Sequence, residues 1–139
     1  PRPPTFPPPA ALRSPQKGVA ARRTKGLRHR SIATAETGLA TLGGTTGDFT
    51  VVDVGRGGPN GTDDAEVAEK LTLAKLKDVD AVIFANTTGV LPLPEPQAFL
   101  DYIKAGHGFA AMHSGSDTFH EWPGGENGKV SAYVDMLGG

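Results

Sequence analysis

The chain has no cysteine, and this absence removes several kinds of chemistry. Without a thiol there is no disulfide, no thiolate nucleophile and no cysteine-ligated zinc. No apolar stretch approaches the roughly 20 residues that a membrane-spanning helix needs, and the N-terminus lacks the apolar core of a secretory signal. The sequence therefore predicts no membrane partner, and it favours a cytoplasmic location while leaving the redox compartment open.

Acidic residues are absent from residues 1–30, which carry eight lysines or arginines, so all fifteen acids lie in the rest of the chain. Residues 1–16 hold seven of the twelve prolines, which remove backbone donors and favour extended conformations. We interpret 1–16 as a disordered tail, with an organelle transit peptide as the alternative. Because eight of the fourteen basic residues lie in this first segment and the other six are outnumbered by the fifteen acids of the rest, we predict no nucleic-acid partner.

Helical and strand patterns alternate along the remainder of the chain. The strand candidates are 18–23, 48–54, 80–86 and 107–113, and the helix candidates are 31–42, 62–77 and 95–105. Strands that alternate with helices indicate βαβ units and a mostly parallel sheet covered on both faces. We predict an α/β fold with strand order 2-1-3-4, as in a flavodoxin-like domain, although the first strand has little apolar bulk and ends in two arginines.

Three polar clusters follow strands of this predicted sheet. They are "KGLRHRS" at 25–31, "ANTTG" at 85–89 and "MHSGSDT" at 112–118. Because the carboxyl ends of parallel strands lie at one edge of a sheet, we expect the three clusters to meet there. Their convergence would define a ligand site beside the point where the strand order reverses.

The first two clusters offer hydrogen-bonding groups of different kinds. His29 precedes a predicted helix and either points into the cleft or helps to end the loop. Asn86, Thr87 and Thr88 supply an amide and two hydroxyls, which suit a ligand with many hydroxyl groups. The alternative for these three is ordinary turn chemistry, in which the side chains bond to their own backbone.

The third cluster resembles a nucleophile elbow, in which a strand ends at a displayed side chain and a helix follows. His113 stands at the apex, and an imidazole can act as a general base near neutral pH. An alternative is Ser114 as a nucleophile with a histidine and an aspartate. We favour His113, because an elbow displays the residue at its apex.

The segment after the elbow raises two further interpretations. His113, Asp117 and His120 have spacings that would suit metal ligands on one helical face. The stretch is rich in Gly, Ser and Thr and closes with a proline, which favours a loop, so we predict no metal. Trp122 is either an apolar wall for a sugar face or a rim aromatic packed on its own loop.

Four blocks of sequence occur together in a recognisable order. They are "TKGLRHRSI", "DAVIFANTTGVL", "GHGFAAMHSGSDTFHEWP" and "YVDMLGG". From about Lys17 to the last residue this arrangement resembles the ThuA-like, or trehalose-utilisation, family of the class I glutamine amidotransferase-like superfamily. The resemblance implies a flavodoxin-like three-layer domain over 17–139, acting on or binding a carbohydrate or sugar derivative in sugar catabolism. No cofactor is implied.

The comparison with amidotransferases bears directly on the elbow. In those enzymes the elbow carries a nucleophilic cysteine, and "AMHSG" at 111–115 places His113 in that position, which excludes thiol-based glutamine hydrolysis. The positions that the resemblance places in the cleft are His29, Asn86, Thr87, Thr88, His113, Ser114, Asp117 and Trp122.

The resemblance also suggests individual roles for these residues. His113 would act as a general base, with His29 as its partner or as a substrate ligand. Asp117 would orient His113 or bind a hydroxyl. The remaining side chains of the cleft would contact the carbohydrate directly.

The sequence departs from the family pattern in two respects. Leu27 stands where an aromatic residue is more usual, and family domains commonly continue past "MLGG". We therefore expect a domain that is incomplete on its C-terminal side. The competing function is a noncatalytic carbohydrate-binding or interaction module, or a non-functional fragment, and a homo-oligomer is compatible with either function.

Overall fold

The fold is a four-stranded parallel sheet with helices, seen in a computed structural model that describes residues 15–22, 24, 30–54, 64–121 and 131–138. The strands are β1 (Gln16–Ala21), β2 (Phe49–Val54), β3 (Ala81–Ala85) and β4 (Gly108–Met112). The helices are α1 (Ser31–Thr46), α2 (Asp64–Lys70), α3 (Leu73–Leu76), α4 (Pro96–Lys104) and α5 (Ala132–Leu137), and a short 3-10 helix spans His113–Asp117.

The strand order is β2-β1-β3-β4, and every pair is parallel, which confirms the predicted order and the flavodoxin-like α/β fold. Val19 of β1 lies in register with Val52 on one side and Val82 on the other. The chain passes from β1 outward to β2 and then returns to β3 on the opposite side of β1. The order therefore reverses between β1 and β3, where a doubly wound sheet opens a crevice at its carboxyl edge.

The first strand is central despite its small side chains. Val19, Ala20 and Ala21 are buried, because β1 has a strand on each side and small residues let the layers approach. Arg22, which follows the strand, is also buried and forms an ion pair with Glu36 of α1. The strand begins at Gln16, the last residue assigned to the predicted tail, and residues 1–14 lie outside the described part of the chain.

Two helix predictions were wrong in their limits. The helix predicted to end near Leu42 continues to Thr46, because Gly43 packs against β2. A Cβ at position 43 would lie only 2.6 Å from the Phe49 carbonyl oxygen. The helix predicted over 62–77 is divided into α2 and α3. Thr72 has an extended backbone there, and its hydroxyl accepts a hydrogen bond from the Lys75 amide, which starts a new helix.

An aromatic cluster forms the centre of the core under β3 and β4. The Phe84 ring stacks on Phe99 with a centroid distance of 5.5 Å and meets Phe109 edge-on at 5.2 Å. Phe119 and Tyr133 complete the cluster at 6.0 and 5.7 Å from Phe84. Five aromatic side chains from β3, α4, β4, α5 and the segment after the 3-10 helix thus share one contact region, which fixes these elements to each other.

No helix among the described residues combines the length and apolar character that crossing a bilayer requires.

Two buried tyrosines make the fold sensitive to alkaline pH. Burial, with a smaller contribution from the negative charge of Asp80, raises the pKa of Tyr102 to about 12, and burial alone raises the pKa of Tyr133 further. Because both phenols ionise more easily after unfolding, stability should be full below pH 10, the ordinary tyrosine value, and should fall as the pH rises towards about 12. Urea unfolding at a series of pH values measures this. The Tyr102→Phe variant should show a shallower decline, and an unchanged slope in that variant would contradict the assignment.

Candidate functional site

The parts of the three polar clusters that the structure describes lie together at the carboxyl edge of the sheet, while residues 25–29 of the first cluster are outside the described residues. Thr24, two residues beyond the buried Arg22, pairs with Thr88 in an isolated parallel bridge, and Gly89 pairs with Thr118 in another. The Gly89 amide donates to the Asp117 carbonyl at 3.0 Å, and the Phe119 amide donates to the Gly89 carbonyl at 3.1 Å. The sheet contacts therefore continue past the strand ends and hold the loops side by side.

Asn86 lies at the switch point itself. Its Oδ1 accepts a hydrogen bond from the Ser31 hydroxyl at 3.2 Å, which joins the start of α1 to the end of β3. The backbone N–H of Asn86 donates to the Met112 carbonyl at 3.2 Å. Its φ of 58° is left-handed, a conformation that asparagine tolerates better than most residues. Asn86 is 2% exposed, so it is buried at this edge of the sheet.

The two threonines after Asn86 have different surroundings. Thr87 is fully buried, and its hydroxyl shares a hydrogen bond of 2.7 Å with the Thr118 hydroxyl. Thr88 is also buried, but its Oγ1 has no hydrogen-bond partner in the described part of the protein, and the same is true of the buried Oγ of Ser114. An unsatisfied buried hydroxyl costs about 1–3 kcal/mol, so a ligand that bonds to these two oxygens would recover that energy.

The turn after β4 has the geometry of an elbow. His113 has a φ of 52° and is exposed, so the backbone turns sharply where the strand ends and displays the imidazole at the edge of the sheet. A left-handed conformation in a residue other than glycine costs of order 1–3 kcal/mol and occurs most often at functional sites. The sequence interpretation of "HSG" as an elbow with His113 at the apex therefore agrees with the backbone.

Gly115 allows this elbow to pack against the sheet. A Cβ at this position would lie 2.9 Å from the Phe84 carbonyl oxygen and 3.0 Å from the Ala111 Cβ, closer than real Cβ atoms normally approach. The Gly115 carbonyl accepts a hydrogen bond of 2.7 Å from the Tyr133 hydroxyl. The elbow is thus held from below by β3 and β4 and from the side by α5.

The ion pair between Arg22 and Glu36 fixes the start of α1 beside this edge. The Arg22 side chain is 3% exposed, so its charge needs a partner inside the protein. Glu36 supplies that partner from the second turn of α1. The pair holds the helix that carries Ser31, and with it the contact to Asn86, close to the end of β1.

Asp117 contacts the other imidazole of its segment. Its Oδ1 lies 3.3 Å from Nε2 of His120, and both side chains are exposed. No group of three or more His, Asp or Glu side chains arranged to bind a metal ion occurs within the described ranges. Two predicted site residues, His29 and Trp122, lie outside the described residues, so their roles stay predictions.

This arrangement combines a displayed imidazole with hydroxyl and amide groups around one crevice. An imidazole can take a proton from a bound hydroxyl, and the neighbouring side chains can bind other hydroxyls of the same ligand. A thiol nucleophile is excluded by the composition. The described side chains at this edge therefore combine hydrogen-bonding groups with one exposed imidazole.

A doubly wound parallel sheet with polar loops at its switch point and an elbow beside them defines a flavodoxin-like α/β domain. Residues 19–139 match the family model described as ThuA, trehalose utilisation, and the chain belongs to this family. The class I glutamine amidotransferase-like superfamily is consistent with that membership. No curated protein and no solved structure gives a significant match.

Several residues that shape the site were not identified from the sequence. Thr118 satisfies Thr87, Tyr133 binds the elbow carbonyl, and Ser31, predicted only as part of the first polar cluster and without a role of its own in the site, bonds to Asn86. The position of Ser31 after the first strand carried a usable signal, because a helix start at the carboxyl edge faces the crevice. Tyr133 gave no such signal, because it lies in α5, 18 residues from Gly115 in sequence, and reaches the Gly115 carbonyl only in the folded protein.

Replacement of Gly115 by alanine should test the elbow packing. The added methyl group would overlap the Phe84 carbonyl and the Ala111 side chain, so Gly115→Ala should lower the free energy of unfolding by about 1–3 kcal/mol. Gly38→Ala is the matched control, because nothing lies within 4 Å of a Cβ there and an alanine in a helix should stabilise by about 0.5–1 kcal/mol. Urea unfolding measures both, and equal stabilisation by the two substitutions would refute the packing.

Proposed function

We propose that this ThuA-family domain binds a carbohydrate or sugar derivative in the crevice at the carboxyl edge of its sheet and transforms it with His113 as general base. The family description, trehalose utilisation, supports a sugar ligand, and trehalose or an oxidised form of it is the natural first test. The domain works without cysteine-dependent amidotransferase chemistry, because the chain has no cysteine.

The observation that carries this proposal is the pair of buried hydroxyls without partners, Thr88 Oγ1 and Ser114 Oγ. A folded protein seldom leaves buried polar atoms unsatisfied, and such atoms recur where a ligand or water completes the bonding. One hydroxyl follows β3 and the other follows β4, so both border the same edge. A polyol can donate to one oxygen and accept from the other, and a neutral apolar ligand would satisfy neither.

The remaining residues divide between ligand contact and support. Asn86 lies at the base of the crevice and offers its amide to the ligand while Ser31 holds its oxygen. Thr87 supports the loop through its hydrogen bond to Thr118, so Thr88 rather than Thr87 makes the direct contact with the ligand. Asp117, with His120, would bind a ligand hydroxyl at the rim. His29 and Trp122 keep the roles that the family resemblance implies, as a partner of His113 and an apolar wall.

His113 supplies the chemistry in this proposal. Its backbone turns outward at a φ of 52°, so the imidazole lies at the crevice edge rather than in the core. A neutral imidazole would remove a proton from a ligand hydroxyl, or from the carbon beside a carbonyl of an oxidised sugar, and return it later in the reaction. Saturable binding without any turnover would instead identify the domain as a carbohydrate-binding module.

Removal of the two unsatisfied hydroxyls should weaken binding without harming the fold. Thr88→Val and Ser114→Ala each delete one oxygen at little cost in volume, and each should reduce affinity by about tenfold while leaving stability equal or higher. Calorimetric titration with trehalose and with its keto derivative measures the affinity. Thr50→Val, at an exposed position of β2, is the control and should bind as the parent does. Unchanged affinity in both site variants would refute the assigned contacts.

Replacement of His113 by asparagine should separate turnover from binding. Asparagine accepts the left-handed backbone at this position and cannot act as a base near neutral pH. Turnover of the sugar, followed by product chromatography, should fall by about 10²–10⁴-fold, with affinity changed little. His107→Asn, a change at an exposed histidine before β4, should leave the rate unaltered. A rate retained in the His113 variant would show that another group is the base.

A further inference from the structure

A second cleft lies away from the crevice, on the face of the sheet that packs against α2 and α3. It has a volume of about 200 Å³. Its lining consists of Lys17, Val19, Val52, Lys70, Lys75, Asp78 and Val79. Lys17 and Asp78 stand at the amino ends of β1 and β3, so this cleft opens near the edge of the sheet opposite to the carbohydrate crevice.

The floor of this cleft is apolar. Val19 and Val52 are neighbours in the sheet and point to the same face, and Val79 precedes β3 beside them. Val19 and Val79 are buried, whereas Val52 on the edge strand β2 is 37% exposed. The exposed Val52 surface is the part of the floor that a ligand would cover.

The walls carry an excess of positive charge. Lys17, Lys70 and Lys75 contribute three ammonium groups, against the single carboxylate of Asp78. Within the described part of the chain, no ion pair involves any of these three lysines. Two further acids lie close to this edge: Asp80, which accepts a hydrogen bond from the Lys17 amide at 2.8 Å, and Asp48, whose carbonyl accepts one from the Gln16 amide at 2.8 Å.

The lysines come from three separate elements that the fold holds together. Lys17 belongs to β1, Lys70 ends α2 and Lys75 lies in α3. Two hydrogen bonds shape the turn between α2 and α3 and thereby fix the positions of Lys70 and Lys75. The Leu71 amide donates to the Val67 carbonyl, and the Lys75 amide donates to the Thr72 hydroxyl. Three like charges gathered over an apolar floor repel one another, and an anion between them would relieve that repulsion.

We propose that this cleft is a second ligand site, which takes a small amphipathic anion: a phosphate or carboxylate carried on an apolar group. The oxyanion would lie among the three ammonium groups, and the apolar group would cover Val52. The volume equals that of several water molecules, since each occupies about 30 Å³ in the liquid, so the ligand is small. This site is independent of the carbohydrate crevice and does not require the proposed function.

Phenyl phosphate is the probe, and phenol and inorganic phosphate are its two fragments. Titration followed by amide chemical shifts should show saturable binding of phenyl phosphate, with shifts at Val52, Lys70 and Lys75, and weaker binding of either fragment. The double variant Lys70→Glu, Lys75→Glu should bind at least about tenfold more weakly, because two attractions become repulsions. Its matched control is Lys77→Glu, Lys104→Glu, which makes the same charge change at exposed positions outside the cleft.

Three results would overturn the proposal. Binding of phenyl phosphate no tighter than that of inorganic phosphate would show that the apolar floor is not used. An equal loss of affinity in the control and cleft variants would show general attraction to a positive surface. Shifts confined to residues outside the cleft would place the binding elsewhere. Circular dichroism of both variants is the check on folding and should match that of the parent protein.

Discussion

The contact of Gly115 with the Phe84 backbone is the constraint on which the site depends. It lets the 3-10 helix lie directly on the end of β3, so the turn before it must bend sharply and His113 adopts its left-handed conformation. The same contact brings Ser114 beside the loop that carries Thr88. A larger residue at position 115 would lift the elbow from the sheet and separate the groups that the crevice brings together.

The aromatic cluster beneath this contact links the site to the rest of the core. Phe84 meets rings from α4, β4, α5 and the segment after the 3-10 helix, and Tyr133 of that cluster also bonds to the Gly115 carbonyl. The energy of burying these rings therefore maintains a strained turn, whose cost of order 1–3 kcal/mol is small beside it. On the other side of the crevice, the ion pair between Arg22 and Glu36 gives α1 a fixed start.

The sequence was sufficient to predict the strand order and the edge at which the described polar loops lie. Strands that alternate with helices impose a parallel sheet, and polar residues at their carboxyl ends then share an edge whatever the details of packing. The limits of the helices were less predictable. α1 passes through Gly43 because of a close contact with β2, and α2 ends before Thr72 because of a local cap. Both depend on contacts with neighbours that a periodic pattern does not contain.

The contacts of the predicted site residues did not follow from the sequence. Thr87 and Thr88 are equivalent in sequence, yet one hydroxyl is used by Thr118 and the other has no partner among the described residues. Asp117 was predicted to orient His113 or to bind a hydroxyl, and the structure shows its contact with His120. Such differences arise from side chains that meet only after folding.

The central claim is that the carboxyl edge of the sheet binds the sugar, and amide chemical shifts recorded during titration with trehalose and its keto derivative test it most directly. The account predicts saturable shifts at Asn86, Thr88, His113 and Ser114, with α2 and α3 unaffected. Saturable shifts that avoid these residues, or no shifts with either sugar, would contradict it.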